Sequence, residues 1–295
     1  MKVVGIHGIF HEYLSSAQIE NDWLLALQGG LDEAGVPRIE RQDFTAVSYG
    51  SLFRPSGRRS AGVPKFSAQD VEEGWEQELL IAWWREAAAL SQANKSDDDP
   101  LGEDPSIQGP DFQGRGRTPA VVQRALKQLA KLKFFKAAGV SERLLIFGLK
   151  QVRQFLHDSE MKQAILQRVS EKVSTNTRVI IGHSLGSIVA YEALCEHPEW
   201  NVDTLVTLGS PLGIPGLIFD SLTPKPENGT GAWPNVKNWF NIADKGDIVA
   251  LEKELAPHFG DVVDRLVYNG WESHSAERYL TARETGQAVA TGLFD

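Results

Sequence analysis

The sequence predicts an α/β protein: a mostly parallel sheet of about six strands flanked by helices, with a helical cap or lid inserted into it. Three observations carry this expectation. Short β-branched runs alternate with amphipathic segments along most of the 295 residues, the pattern of a parallel sheet covered on both faces. Several of those runs end in glycine-containing turns. One run, Arg178-Val179-Ile180-Ile181, passes through Gly182-His183-Ser184-Leu185-Gly186 straight into a helix-patterned segment from Ser187 to Leu194.

The elements follow in order. Val3-Val4-Gly5-Ile6 reads as a buried strand that ends in the tight turn His7-Gly8-Ile9-Phe10. A helix is expected from about Asn21 to Ala34, with Trp23, Leu24, Leu27 and Leu31 on one face, stopped by Gly35 and Pro37. Asp43 to Tyr49 reads as a second strand, Gly50 to Lys65 as loop, and Ala68 to Leu90 as a helix carrying Trp75, Leu79, Ile81, Trp83 and Trp84. From Ser91 to Thr118 the chain is polar, acidic and rich in Gly and Pro, too poor in apolar residues to pack alone, and reads as a flexible surface loop. Helices are expected over Pro119 to Ala138, with Thr118 as N-cap and Gly139 as stop, then Ser141 to His157 and Asp158 to Val173.

After Ser184 the alternation resumes. Asp203 to Leu208, Lys237 to Ile242 and Asp261 to Tyr268 read as strands, and Ser275 to Thr291 as a final helix. The expected organisation is a core of residues 1–50 and 158–295, with residues 51–157 as a helical cap that shares some of its length with the core and holds the flexible loop near 91–118.

Composition narrows the function classes. A net charge of −9 argues against non-specific nucleic-acid binding, which needs a basic surface. The single cysteine, Cys195, excludes an internal disulfide and reads as a buried structural thiol. The chain opens on a strand, without a signal-peptide pattern, and holds no run of about 18 apolar residues. A cytoplasmic protein is therefore expected, with a trimmed secreted form as the alternative. No metal cluster, phosphate loop or dinucleotide fingerprint occurs in the sequence, so neither metal nor cofactor is expected.

The chemistry centres on Ser184. Strand, Gly-x-Ser-x-Gly, then helix is the context in which that serine is a nucleophile on a strained turn, beside the positive end of a helix. It needs a histidine base oriented by a carboxylate, and the chain order in such a hydrolase is Ser, acid, His. Of seven histidines, His7, His11 and His157 precede the serine. His183 adjoins it and is read as turning away, His197 ends the next helix, and His258 lies before the last strand. His274, after the last strand, is the expected base. Asp247, ahead of the apolar step Ile248-Val249, is the expected acid, with Asp244 the second choice. The oxyanion donors are read as the backbone N–H groups of Leu185 and Ile9, with Phe10 second to Ile9.

Together, Ile6-His7-Gly8-Ile9, Gly182-His183-Ser184-Leu185-Gly186, Gly209-Ser210-Pro211-Leu212, Asp244 to Val249 and His274-Ser275 resemble the α/β-hydrolase superfamily, specifically its lipase- and esterase-like branch. The resemblance implies an α/β-hydrolase fold, shortened here because the chain opens on what would be the third strand of larger members. It implies a serine hydrolase acting on a small-molecule or lipid carboxylic ester through an acyl-enzyme. A thioesterase, an amidase and an acyltransferase use the same machinery, and a non-catalytic binding module with this fold is the alternative of another class. In the cap, Val122, Ala125, Leu126, Leu129, Leu132 and Phe135 oppose Arg124, Lys127, Lys131, Lys133 and Lys136. Packing of that apolar face onto its own domain is the expectation, and contact with a membrane surface the alternative.

Overall fold

The computed structural model describes residues 1–54, 64–93, 119–137 and 139–294. The chain divides into two compact units, residues 1–54 with 154–295, and residues 55–153. In chain order the strands are β1 (Val3–Ile6), β2 (Phe44–Val47), β3 (Val179–His183), β4 (Thr204–Leu208), β5 (Asn238–Asp244) and β6 (Val263–Val267). The helices are α1 (Ser16–Ala34), α2 (Trp75–Ala93), α3 (Pro119–Leu129), α4 (Lys133–Ala137), α5 (Glu142–His157), α6 (Ser159–Ser170), α7 (Leu185–Glu196), α8 (Ala256–Phe259), α9 (Ala276–Thr281) and α10 (Arg283–Phe294).

The six strands among the described residues belong to the larger unit and form one sheet of order β2-β1-β3-β4-β5-β6. Every neighbouring pair is parallel. With its flanking helices this is the α/β-hydrolase fold. Strands β1 to β4 are buried along their whole length, as a parallel sheet sandwiched between helices requires. Alternate side chains serve the two faces. Val3, Val179, Ile181 and Val206 join Ile19, Trp23, Leu27, Leu31, Tyr279, Leu280 and Val289 in one apolar cluster, so α1, α9 and α10 cover that face. Helix α7 packs on β1, β3 and β4, with α6 beside it. The chain leaves β1 toward β2 but leaves β3 toward β4, so its direction reverses between β1 and β3. Open α/β sheets bind ligands at the carboxyl strand ends beside such a reversal.

Helix α1 begins before the expected Asn21. Ser15 and Gln18 form a capping box, in which Gln18 N–H donates to Ser15 Oγ at 3.2 Å and Ser15 N–H donates to Gln18 Oε1 at 2.9 Å. Two expected helices are each broken. The segment from Pro119 to Ala138 parts into α3 and α4, because the chain tightens at Lys131 and Leu132, whose N–H groups bond to the carbonyls of Gln128 and Leu129, three residues back. The segment from Ser275 to Thr291 parts into α9 and α10 at Ala282, which is extended with ψ 139°. The segment from Ala68 to Leu90 holds a 3₁₀ turn at Ala68–Asp70, and α2 starts only after Gly74. Gly50–Phe53, expected as loop, forms a 3₁₀ turn. The flexible loop expected near 91–118 lies outside the described residues from 94 onward, as does the N-cap expected at Thr118.

The smaller unit is helical among its described residues. Leu79, Leu80, Trp83 and Trp84 of α2 are buried, as are Val122, Leu126 and Leu129 of α3. Trp84 Nε1–H donates to the Oε1 of Gln128, a buried polar side chain on α3, at 2.5 Å. Glu76, 1 % exposed, is paired with Lys150 at 3.2 Å. Arg124, Lys127, Lys131, Lys133 and Lys136 are exposed.

Candidate active site

Ser184 occupies the sharp turn between β3 and α7 with φ 53° and ψ −125°, a left-sided backbone conformation that costs about 1–3 kcal/mol in a non-glycine residue. The surroundings hold it there. Ser184 N–H donates to Leu208 O at 3.0 Å, and Ser184 O accepts from Ser187 N–H at 2.9 Å and Ser187 Oγ–H at 2.6 Å. Ser187 Oγ is also 2.7 Å from Ser210 Oγ. The flanking glycines are needed for close approach. A β-carbon on Gly182 would fall 2.5 Å from Gly186 O, and one on Gly186 would fall 2.1 Å from Ile6 O. The motif thus seats the end of β1 against the start of α7.

The structure brings the three expected side chains together. Ser184 Oγ–H donates to His274 Nε2 at 3.0 Å, and His274 Nδ1–H donates to Asp247 Oδ2 at 2.7 Å. All three are buried, at 3 %, 7 % and 0 % exposure. Around Asp247 the donors are shared out. Val249 N–H and Ala250 N–H bond to Oδ1 at 2.9 and 3.4 Å, while Tyr279 O–H bonds to Oδ2 at 2.8 Å. Lys253 Nζ donates to the carbonyls of Asp247 and Ala250 at 2.5 and 2.6 Å. Burial alone would push the Asp247 carboxyl up, but the His274 ring, its hydrogen bond and the Lys253 cation outweigh burial and hold it below the ordinary value. Gly209, at the end of β4, leaves room for the group, since a β-carbon there would come 2.7 Å from Asp247 Oδ2.

Asp244, the second choice for the acid, is turned to its own backbone. It accepts from Gly246 N–H at 2.7 Å and from Asn269 N–H. Burial raises its pKa. The two acids are tied through Tyr279, whose oxygen accepts from Asp244 N–H at 2.8 Å.

Leu185 is the first residue of α7, so its N–H has no acceptor within the helix. The loop after β1 lies against the serine: a β-carbon on Gly8 would come 2.7 Å from Ser184 Cβ. Within that loop Phe10 has φ 68°. Neither Ile9 N–H nor Phe10 N–H donates to a protein acceptor among the described residues.

Several residues were not assigned to the site from sequence. Tyr279 lies within the expected final helix and has no motif of its own. Lys253 carried no pattern, and Ser187 and Ser210 were read only as part of the helix after the serine and of the turn after a strand. His183 corrects an expectation: its ring does not turn away from the site but lies 4.7 Å from the His274 ring, and its Nε2–H donates to His274 O at 3.1 Å. Burial lowers its pKa well below the ordinary value, so it is a neutral donor. Cys195, expected to be buried, is half-buried, and burial pushes its thiol up to about 12. Among the described residues, no group of three or more His, Cys, Asp or Glu could hold a metal ion, and no helix is long and apolar enough to cross a membrane.

The parallel sheet, its flanking helices and the serine turn at the β1/β3 reversal define an α/β-hydrolase-like fold. Residues 120–246 match the family described as PGAP1-like alpha/beta domain, which is itself hydrolase-like. No curated protein and no solved structure matches the chain.

Proposed function

We propose that the protein is a serine hydrolase that cleaves carboxylic esters through an acyl-enzyme. The observation that supports this most is the hydrogen-bonded line from Asp247 Oδ2 through the His274 ring to Ser184 Oγ. In this reading the neutral imidazole, protonated at Nδ1, accepts the serine proton at Nε2 as Oγ attacks the ester carbonyl. Asp247, ionised, stabilises the imidazolium that forms. The carbonyl oxygen, now an oxyanion, takes hydrogen bonds from Leu185 N–H and Ile9 N–H, each worth about 3–4 kcal/mol in the transition state. His274 then returns the proton to the leaving alcohol. Water, deprotonated by the same nitrogen, attacks the acyl-enzyme, and His274 protonates Ser184 Oγ as the acid departs.

Ser184→Ala tests the reading. Turnover of p-nitrophenyl esters should fall by about 10⁴-fold or more with the melting temperature retained, and a fluorophosphonate probe should cease to label the protein. Equal hydrolysis by wild type and variant would end the proposal.

A further inference from the structure

Two histidines that chain order excludes as the base, His7 and His11, form a stack with Tyr49 under the loop after β1. The His7 and His11 ring centroids are 4.6 Å apart, inclined at 19°, and those of His7 and Tyr49 are 4.2 Å apart, inclined at 15°. Each histidine bonds a successive carbonyl of the loop: His7 Nδ1–H donates to Gly8 O at 2.7 Å, and His11 Nδ1–H donates to Ile9 O at 2.8 Å. His7 Nε2 accepts from Tyr49 N–H at 3.3 Å, which fixes the Nδ1–H tautomer, and Tyr49 O–H donates to His7 O. Burial keeps both imidazoles below their ordinary pKa, hence neutral.

A trans peptide is planar, and its C=O and N–H point in opposite directions. Gly8 O shares a peptide with Ile9 N–H, and Ile9 O shares one with Phe10 N–H. Drawing both carbonyls onto the ring stack turns both N–H groups away from it, and neither has a protein acceptor among the described residues. The left-sided φ of 68° at Phe10 is held by the same bonds.

We propose that His11 is a positioning residue: through Nδ1–H to Ile9 O, and with its ring supported on His7, it aims Phe10 N–H beside Ile9 N–H at the oxyanion formed on Ser184. The site then has three backbone donors, Leu185, Ile9 and Phe10. This inference rests on the hydrolase reading above.

Three proteins decide it: wild type, His11→Phe and His11→Asn. Phenylalanine keeps a ring to stack on His7 but removes the donor; the asparagine amide nitrogen restores a donor near the Nδ1 position. His11→Phe should lower kcat on p-nitrophenyl butyrate by about 10- to 100-fold with KM unchanged, less than outright loss of an oxyanion donor because the peptide is loosened rather than removed. Affinity for a trifluoromethyl ketone, whose serine adduct carries the oxyanion, should fall by a similar factor. His11→Asn should recover most of both. In wild type, the Phe10 amide proton should move downfield when the ketone adduct forms, a readout that needs no variant. Wild-type kcat in His11→Phe, equal losses in both variants, an effect on KM alone, or an unmoved Phe10 amide would each overturn the inference. Absence of ketone or fluorophosphonate reaction at Ser184 in wild type would instead overturn the hydrolase reading, and this one with it.

Discussion

The loop that leaves β1 and the loop that leaves β5 flank the serine strand at different distances, β1 adjoining β3 and β5 lying beyond β4. They are held by opposite means. In the first, neutral ring N–H groups tie down carbonyls, and the peptide N–H groups are turned outward. In the second, a carboxylate ties down peptide N–H groups with one oxygen and gives the other to the imidazole and to Tyr279 O–H, while a lysine ties down the carbonyls. The difference follows from what each loop presents. In the proposed hydrolase, a loop that offers donors must have its acceptors occupied elsewhere, and here that is done without a charge that would compete with a nearby oxyanion. A loop that offers a carboxylate must satisfy it well enough to stay ionised when buried.

Between the two loops, the larger expected effect comes from uncharging the second. Asp247→Asn should retain the fold yet lower kcat by about 10³–10⁴-fold, since the amide can hold the wrong imidazole tautomer; steady-state kinetics on p-nitrophenyl esters measures it. Loss of less than about tenfold would mean that the carboxylate only braces its loop. His11→Phe comes next in size. Smaller again is Tyr279→Phe, which takes one donor from Asp247 Oδ2. It should lower kcat a few-fold and stability by about 1 kcal/mol. It also has a pH signature. Asp247 is depressed in the fold, so its stabilisation is complete above the ordinary carboxylate range and is lost as pH falls through the folded value. Removing a hydrogen bond to the charged form raises that value, and acid unfolding of Tyr279→Phe, followed by circular dichroism, should begin at higher pH. The smallest effect is outside both loops: Ser15→Ala should cost about 1 kcal/mol in denaturant titration, leave kcat unchanged, and so show what stability loss alone does to the assay.

Much of this was legible in the chain. Parallel strands announce themselves by β-branched runs between amphipathic segments, and all six lie close to where those runs fall. Ser184, Asp247 and His274 were singled out by chain order and strand-end position, both properties of connectivity. What stayed hidden depends on distance in space. The Ser15–Gln18 box was written in the sequence but outweighed by the apolar stripe starting at Trp23. The breaks at Lys131 and Ala282 have no Gly or Pro to mark them. His183 and Tyr279 act through side-chain bonds to remote backbone, and the His7–His11 pair through a ring stack that takes in distant Tyr49, and no spacing rule encodes those. In residues 119–137, amphipathy marked which face is buried, yet a buried Gln128 bonded to Trp84 broke the apolar stripe for a reason visible only across two helices.

The packing of α1 on α9 and α10 carries a consequence for biosynthesis. Ile19, Trp23, Leu27 and Leu31 leave the ribosome roughly 250 residues ahead of partners that cover them, Leu280 and Val289 among them. At about 5–20 residues per second the nascent chain carries that incompletely covered apolar stripe for on the order of tens of seconds. The finished sheet face closes only through contacts between distant parts of the chain, a slow, high-contact-order step.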